Sequence, residues 1–398
     1  MTDQLLATLR RRVSEWNEGK GETLAEAFFD SVFQRWLVNS YAGVLEIFQA
    51  RHPGPPTNGA RRCPVTATPD LKAVLARGEY LFSLGLKFQS SPDTERLRKT
   101  MMRHLGANEM RMMAVRLGES ADHLVSSALE RGSLEVIGDL ATPLVDGSLF
   151  GMLGVPEEQW HQLAKPSKAV SFMFGLGATE SERMAGHFAF AEMCRIVRDL
   201  MSDMTRPKTP AMADWLEAVR LGAWSQDEAV AQIATLIIGG RISPITAIGS
   251  MVHHLALCPA AWEATRSGTL SIDAAIEECL RLGPPKAIVS RTLSNGGIVG
   301  GVEIPPGKRL LLMVGRANRD PAVFDNPLEF DPWRCPKRNL AFGAGNRRCP
   351  GIYLAREQMR AALLALLKYF PKLEMVAAPT WREALHNERV IDTLQIRV

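Results

Sequence analysis

The stretch SQDEAVAQIATLIIGGRISPITAIGSMVHHLALCP, residues 225 to 259, constrains the fold more than any other. Ser225 and Glu228 make a Ser-x-x-Glu capping box at its start, and Pro259 limits its far end. A helix of about nine turns is long enough to run through the core of a domain. Whatever this chain folds into must be built around it.

The rest of the chain supplies helices for that purpose. Residues 71 to 78 read as a short helix closed by Gly78, and 91 to 106 as a helix with a proline and acids in its first turn. Further helical periodicity runs through 108 to 132, 156 to 166 and 183 to 204. Strand texture comes only in pieces: RRCPVTAT near 61, IVSRTLS at 288, GIVGGVEIPPGKRLLLMV from 297, and the terminal TLQIRV. VEIPPGKRL reads as a turn between two short strands, and RHPGPPTNGARR, 51 to 62, as a loop. The expectation is a mainly α fold with a small β portion, in a single large domain over residues 1 to 398.

Composition excludes several classes of function. With 46% hydrophobic and 23% charged residues the chain is globular, neither disordered nor fibrous. A net charge of +4 without basic blocks argues against a nucleic-acid binder. No run of about 18 apolar residues predicts a membrane span. The six cysteines show neither a CxxC nor a regular spacing, so reduced thiols in the cytoplasm are expected.

The second informative stretch is FGAGNRRCPG, residues 342 to 351, running into a long helix, IYLAREQMRAALLALL. Its glycines permit positive φ and close backbone approach to a flat ligand. A cysteine just before a helix N-terminus, with Arg347 and Arg348 beside it, is placed where a thiolate is favoured. Such a thiolate can be the one protein ligand of a metal. Local chemistry alone leaves a plain structural turn equally open.

Three further segments bear on that choice. FGAGNRRCPG resembles the haem-binding loop of the cytochrome P450 superfamily, F-x-x-G-x-x-x-C-x-G, with Phe342, Gly345, Cys349 and Gly351 at its fixed positions. EECLRL supplies Glu278-x-x-Arg281, which resembles the family's helical acid–arginine pair. NPLEFDPWR, ending in Arg334, and ANRDP, 317 to 321, resemble further family segments, in family order and spacing. The resemblance covers residues 61 to 398, and residues 1 to 60 match poorly.

The resemblance implies a haem b cofactor held between the long distal helix and the cysteine-loop helix. Cys349 would be the axial ligand to iron, with Phe342 beside the sulfur and the N–H groups after Cys349, toward Gly351, tempering the thiolate. Arg98, Arg291 and Arg347 stand at family positions for the haem propionates, and Glu278, Arg281 and Arg334 at those of a structural network. Thr94 stands where bacterial members usually have a histidine for the propionates.

The distal helix departs from the family's A-G-x-[DE]-T, in which the acid and the alcohol organise water and protons. Here the residues are Gly239, Gly240, Arg241, Ile242 and Ser243, followed by Pro244. The small pair is kept, Ser243 stands in for the threonine, and Ile242 replaces the acid. Arg241 lies about 200° around the helix from Ser243 and should point away. Pro244 should free the carbonyl of residue 240.

Two chemistries follow for an oxidoreductase of this kind. One is monooxygenation of a small apolar or aromatic substrate, such as a secondary metabolite. The other is oxidative coupling, ring closure or peroxide-driven oxidation. A non-catalytic haem carrier or sensor belongs to another class. Pocket walls are expected from 78 to 92, 166 to 190, 285 to 290 and 388 to 392, with Ile242, Lys286 and Val289 as substrate neighbours. Lys286 could meet a carboxylate or a phenolate. Arg96, Lys99, Arg103, Lys337, Arg338 and Arg348 would form a basic face for a ferredoxin, itself served by a ferredoxin reductase. The expected protein is a cytoplasmic monomer.

Overall fold

The computed structural model describes residues 11, 15, 26–31, 33–50, 53–54, 69–85, 91–130, 132–176, 178–334, 338–382 and 388–397. The helices in chain order are α1 (Tyr41–Gln49), α2 (Pro69–Ser83), α3 (Ser91–Leu105), α4 (Ala107–Glu130), α5 (Thr142–Leu153), α6 (Trp160–Phe172) and α7 (Glu180–Ser202). They continue with α8 (Pro210–Arg220), α9 (Gln226–Ala256), α10 (Pro259–Arg266), α11 (Ile272–Leu282), α12 (Val314–Ala317) and α13 (Ile352–Tyr369).

Helix α9 is the spine. Its capping box is complete: the Ser225 hydroxyl accepts from the Glu228 N–H, and the Glu228 side chain accepts from the Ser225 N–H. Pro244 lies inside it without ending it. Its first half, with Ile233, Leu236 and Ile237, packs into one apolar core with α3, α5, α7 and α8. Its second half, with Ile248, Met251 and Val252, packs into another with α4, α11 and α13. A helix shared by two cores is apolar on nearly every side, so α9 shows almost no polar stripe. By length and composition Val136–Leu153 and Gln226–Ala256 could each cross a membrane, but 78% of the latter's apolar window is buried inside the protein.

A five-stranded sheet lies apart from these cores. It comprises β1 (Ala27–Asp30), β2 (Arg35–Val38), β3 (Pro53–Gly54), β5 (Val289–Leu293) and β8 (Lys308–Leu312), in the order β1-β2-β8-β5-β3. β2 and β8 run parallel, with Leu37 beside Leu311. β4 (Ser133–Glu135) pairs with β11 (Gln395–Arg397), and β6 (Gly297–Val299) with β7 (Val302–Ile304). β9 (Thr380–Trp381) and β10 (Ile391–Thr393) form the remaining pair.

Several sequence expectations need correction. α2 does not stop at Gly78 but runs on to Ser83. A Cβ at Gly78 would lie 3.0 Å from the His187 carbonyl oxygen, so this glycine serves the close approach of α7 rather than a helix end. The helix expected at 156 to 166 begins at Trp160 and continues through Pro166 to Phe172. VEIPPGKRL is, as expected, a turn between two short strands, β7 and β8, which belong to different sheets. The expected strand at 61 to 68, most of the loop at 51 to 62, Lys337 and the side chain of Thr94 lie outside the described residues.

Candidate active site

The cysteine loop is shaped by two left-handed glycines. Gly343 (φ 65°) closes a turn on Leu340, and Gly345 (φ 66°) opens a single 3-10 turn through Arg347. A Cβ at Gly345 would lie 2.5 Å from the Phe48 carbonyl oxygen, so no other residue fits there. The Cys349 N–H donates to the Phe342 carbonyl at 2.8 Å, which folds the loop back under the start of α13. Gly351 is the residue before that helix. Burial pushes the Cys349 thiol up; the Gly351 N–H, Arg98, Lys286 and Arg348 act in the opposite direction.

This loop forms one wall of a cavity of about 370 Å3. Cys349, Phe342, Arg98, Arg291 and Arg347 all line it, and so do Gly239, Gly240 and Ser243 of α9 on another wall. Burial lowers the pKa of Arg98 and of Arg347, and lowers that of Arg291 to about 10, with Arg347 adding repulsion. The Arg291 guanidinium lies 5.6 Å from the Phe48 ring centre and donates to the Ser290 carbonyl, while its buried Nε has no hydrogen-bond partner. Gathering cations into one apolar cavity raises the free energy unless an anion accompanies them. A flat dianion whose centre takes a thiolate ligand satisfies both the guanidiniums and Cys349, so this donor set fits haem.

α9 contributes a stripe to the cavity at Leu236, Gly239, Gly240, Ser243 and Ala247, the i,i+3/i+4 pattern of one helix face. A Cβ at Gly239 would meet nothing within 4 Å, so this glycine leaves the cavity open. A Cβ at Gly240 would come 3.3 Å from Leu149, so this one admits α5 as well. Ile242 is a correction. It is buried and does not line the cavity, because it sits about 100° around the helix from Ser243. Arg241 turns to α5, where its Nε and a terminal nitrogen donate to the two carboxylate oxygens of Asp146 at 2.7 and 3.0 Å.

Glu278, Arg281 and Arg334 come together as a buried network. Arg281 donates twice to Glu278, at 2.7 and 2.8 Å, and to the carbonyls of Asn318, Pro327 and Glu329. The five guanidinium donors are all used. Arg334 adds a third charged contact to Glu278 at 3.0 Å. This network packs behind the loop and the sheet, away from the cavity lining.

Val289 and Lys286 line the cavity. Lys286, however, is not held out for a substrate anion: its Nζ donates to Glu388 at 2.5 Å. Of the expected basic face, Arg96 is bonded to Glu228 and Arg103 lies 3.4 Å from Asp214. Lys99 and Arg338 are exposed.

Sequence reasoning missed Phe48, which comes from α1 in the part that matched poorly; Ser40, whose side chain caps that helix, was the available signal. The segment 388 to 392 was expected at the pocket wall, but the role of buried Glu388 as partner of Ser243 and Lys286 had no local signal.

The family model described as Cytochrome P450 matches residues 270–380. The chain is 28% identical to the biotin biosynthesis cytochrome P450 of Bacillus subtilis (strain 168) over 311 residues, 78% of each chain. It is 27% identical to the 6-deoxyerythronolide B hydroxylase of Saccharopolyspora erythraea over 326 residues, 80% of this chain and 78% of that one. Among solved structures, P450BioI in complex with an acyl carrier protein ligated to hexadec-9Z-enoic acid aligns with a TM-score of 0.87 at 24% identity, covering 98% of this chain and 99% of that one. Matched motif region, relatives over three quarters of the chain and fold over nearly all of it agree with the cavity's thiol and guanidinium lining. Together these matches support the cytochrome P450 superfamily, bacterial type, whose members use haem and are monooxygenases.

Proposed function

We propose that this protein is a ferredoxin-dependent monooxygenase acting on a small apolar or aromatic substrate of secondary metabolism, in the cytoplasm and as a monomer. The observation that carries the reading is the convergence of Cys349 and three arginines on one cavity that Ser243 also faces. The substrate class rests on the walls, where Met101, Phe174, Leu236, Ile288 and Val289 are apolar. The donor class rests on Lys99 and Arg338, which remain exposed cations at the expected docking face.

In this reading Cys349 would ligate the haem iron through its thiolate, and Arg98, Arg291 and Arg347 would hold the propionates. When bound, haem activates dioxygen, and thiolate ligation favours cleavage of the O–O bond. The protein's own contributions are separate. The Gly351 N–H at Cys349 moderates the sulfur's basicity. Phe342 covers the loop side of the cavity, and Gly239 keeps the opposite side clear for a small ligand. Ser243 brings a hydroxyl from α9 to the cavity, and Thr235 of the same helix brings another.

The second reading, oxidative coupling or ring closure, is favoured by one observation: residue 242 carries no carboxylate. The two separate by product mass after turnover with a ferredoxin and its reductase. Gain of one oxygen supports monooxygenation; loss of two hydrogens or a dimer mass supports coupling. The thiolate assignment is tested by the carbon monoxide adduct of the reduced protein. It should show the red-shifted Soret band of thiolate ligation, and Cys349→Ser should abolish it. A variant retaining that band would overturn the assignment. Ligands that shift the haem from low to high spin identify candidate substrates, and absence of product with both reductase and peroxide supply would favour a carrier or sensor.

A further inference from the structure

The distal helix lacks its carboxylate, yet a carboxylate reaches Ser243. The segment after residue 387 runs antiparallel to the loop before β5, with Lys286 and Glu388 in a backbone bridge and the Arg389 N–H donating to the Pro285 carbonyl. This alignment turns Glu388 inward. Its Oε1 accepts from the Ser243 hydroxyl at 3.1 Å and from Lys286 Nζ at 2.5 Å. Its Oε2 accepts from the Ser171 hydroxyl of α6 at 2.9 Å. Residues 243 and 388 are 145 apart in sequence.

We propose that Glu388 is the positioning residue for Ser243, doing from the C-terminal segment what residue 242 cannot do from the helix. An ionised carboxylate only accepts hydrogen bonds, so it commits the Ser243 proton to itself. Ser243 then presents its oxygen lone pairs, not its proton, to the rest of the cavity. A ligand beside Ser243 must bring its own donor: a water, or a substrate O–H or N–H. Burial alone would favour protonation of Glu388, but Lys286, Ser171 and Ser243 together hold its pKa below the ordinary value, which keeps it in the accepting form.

The same contacts could serve only to tie the C-terminal segment to α6 and α9. The two roles differ in what happens at the distal face. The proposal rests on the haem-thiolate reading, and the test separates the two. In the reduced carbon monoxide adduct the C–O stretching frequency reports hydrogen bonds and local fields at the ligand's oxygen without turnover. Ser243→Ala in an otherwise wild-type protein should not raise the frequency, because the Ser243 proton already points at Glu388 and no hydrogen bond to the ligand is lost. Glu388→Leu should lower it, because the released Ser243 hydroxyl can donate to the ligand, and Glu388→Leu/Ser243→Ala should restore it. If Glu388→Leu does not fold, Lys286→Met with Ser171→Ala loosens the carboxylate from its other partners and should change the width or position of the band only when Ser243 is present. A rise on Ser243→Ala alone, or an equal shift for Glu388→Leu with and without Ser243, would overturn the proposal. Loss of the thiolate Soret band in the parent protein would instead overturn the haem-thiolate reading itself.

Discussion

Replacing Arg281 with leucine tests the network behind the cysteine loop. The guanidinium is 2% exposed and makes five hydrogen bonds, two to Glu278 and three to backbone carbonyls. Its face also lies 5.2 Å from the centre of the Phe324 ring. Leucine would leave three carbonyls and a buried carboxylate short of donors. Breaking a buried ion pair from one side costs about 3–5 kcal/mol. Arg334 still contacts Glu278, which places the loss at the lower end of that range. An unfolding entropy of about 2.1 cal/mol/K per residue gives about 0.8 kcal/mol/K for 398 residues, so Tm should fall by about 4 °C. Arg281→Lys keeps the charge but has three donors for five acceptors, and should lose about half as much. Scanning calorimetry of the haem-loaded protein measures both. A fall below about 1 °C for Arg281→Leu, or equal falls for the two variants, would refute the argument that satisfied donors rather than shape hold this region.

Three other outcomes are expected. Gly345→Ala should fail to retain haem in a gel-filtration assay, because its Cβ would be forced against the Phe48 carbonyl and φ is 66°. Ile242→Asp should not raise coupled turnover; it buries an unpaired carboxyl away from the cavity and should destabilise by about 2–4 kcal/mol in urea titrations. Buried His254 has its pKa depressed from 6.5 to about 3, chiefly by burial, with His253, Arg389, Arg319 and Arg281 adding repulsion. The unfolded chain therefore binds this proton first, and stability present above pH 6.5 is lost as pH falls toward about 3. His254→Phe keeps the stack on Phe330 and should flatten the acid side of the stability–pH curve; an unchanged slope would show that the acid sensitivity lies elsewhere.

The sequence by itself determined the elements whose signals are local. The capping box at Ser225 set the start of α9, because cap geometry depends on neighbours a few residues away, while the chemistry of the cysteine loop rested on its resemblance to the cytochrome P450 haem-binding loop, since local chemistry left a plain turn open. Rotation about α9 already turned Arg241 from Ser243, since helical spacing needs no tertiary information. Tertiary structure decided what lies across space from those elements. Gly78 read as a helix stop until α7 was seen packed against it, and Ile242 left the pocket once the cavity's stripe on α9 was defined. Phe48, 301 positions before Cys349, lines the cavity, and Glu388, 39 positions after it, reaches the cavity-lining Ser243. Long-range contacts of that kind leave no periodicity in the chain. Only the fold could bring a glutamate to the serine that follows isoleucine rather than an acid, and only the fold could pair that glutamate with Lys286.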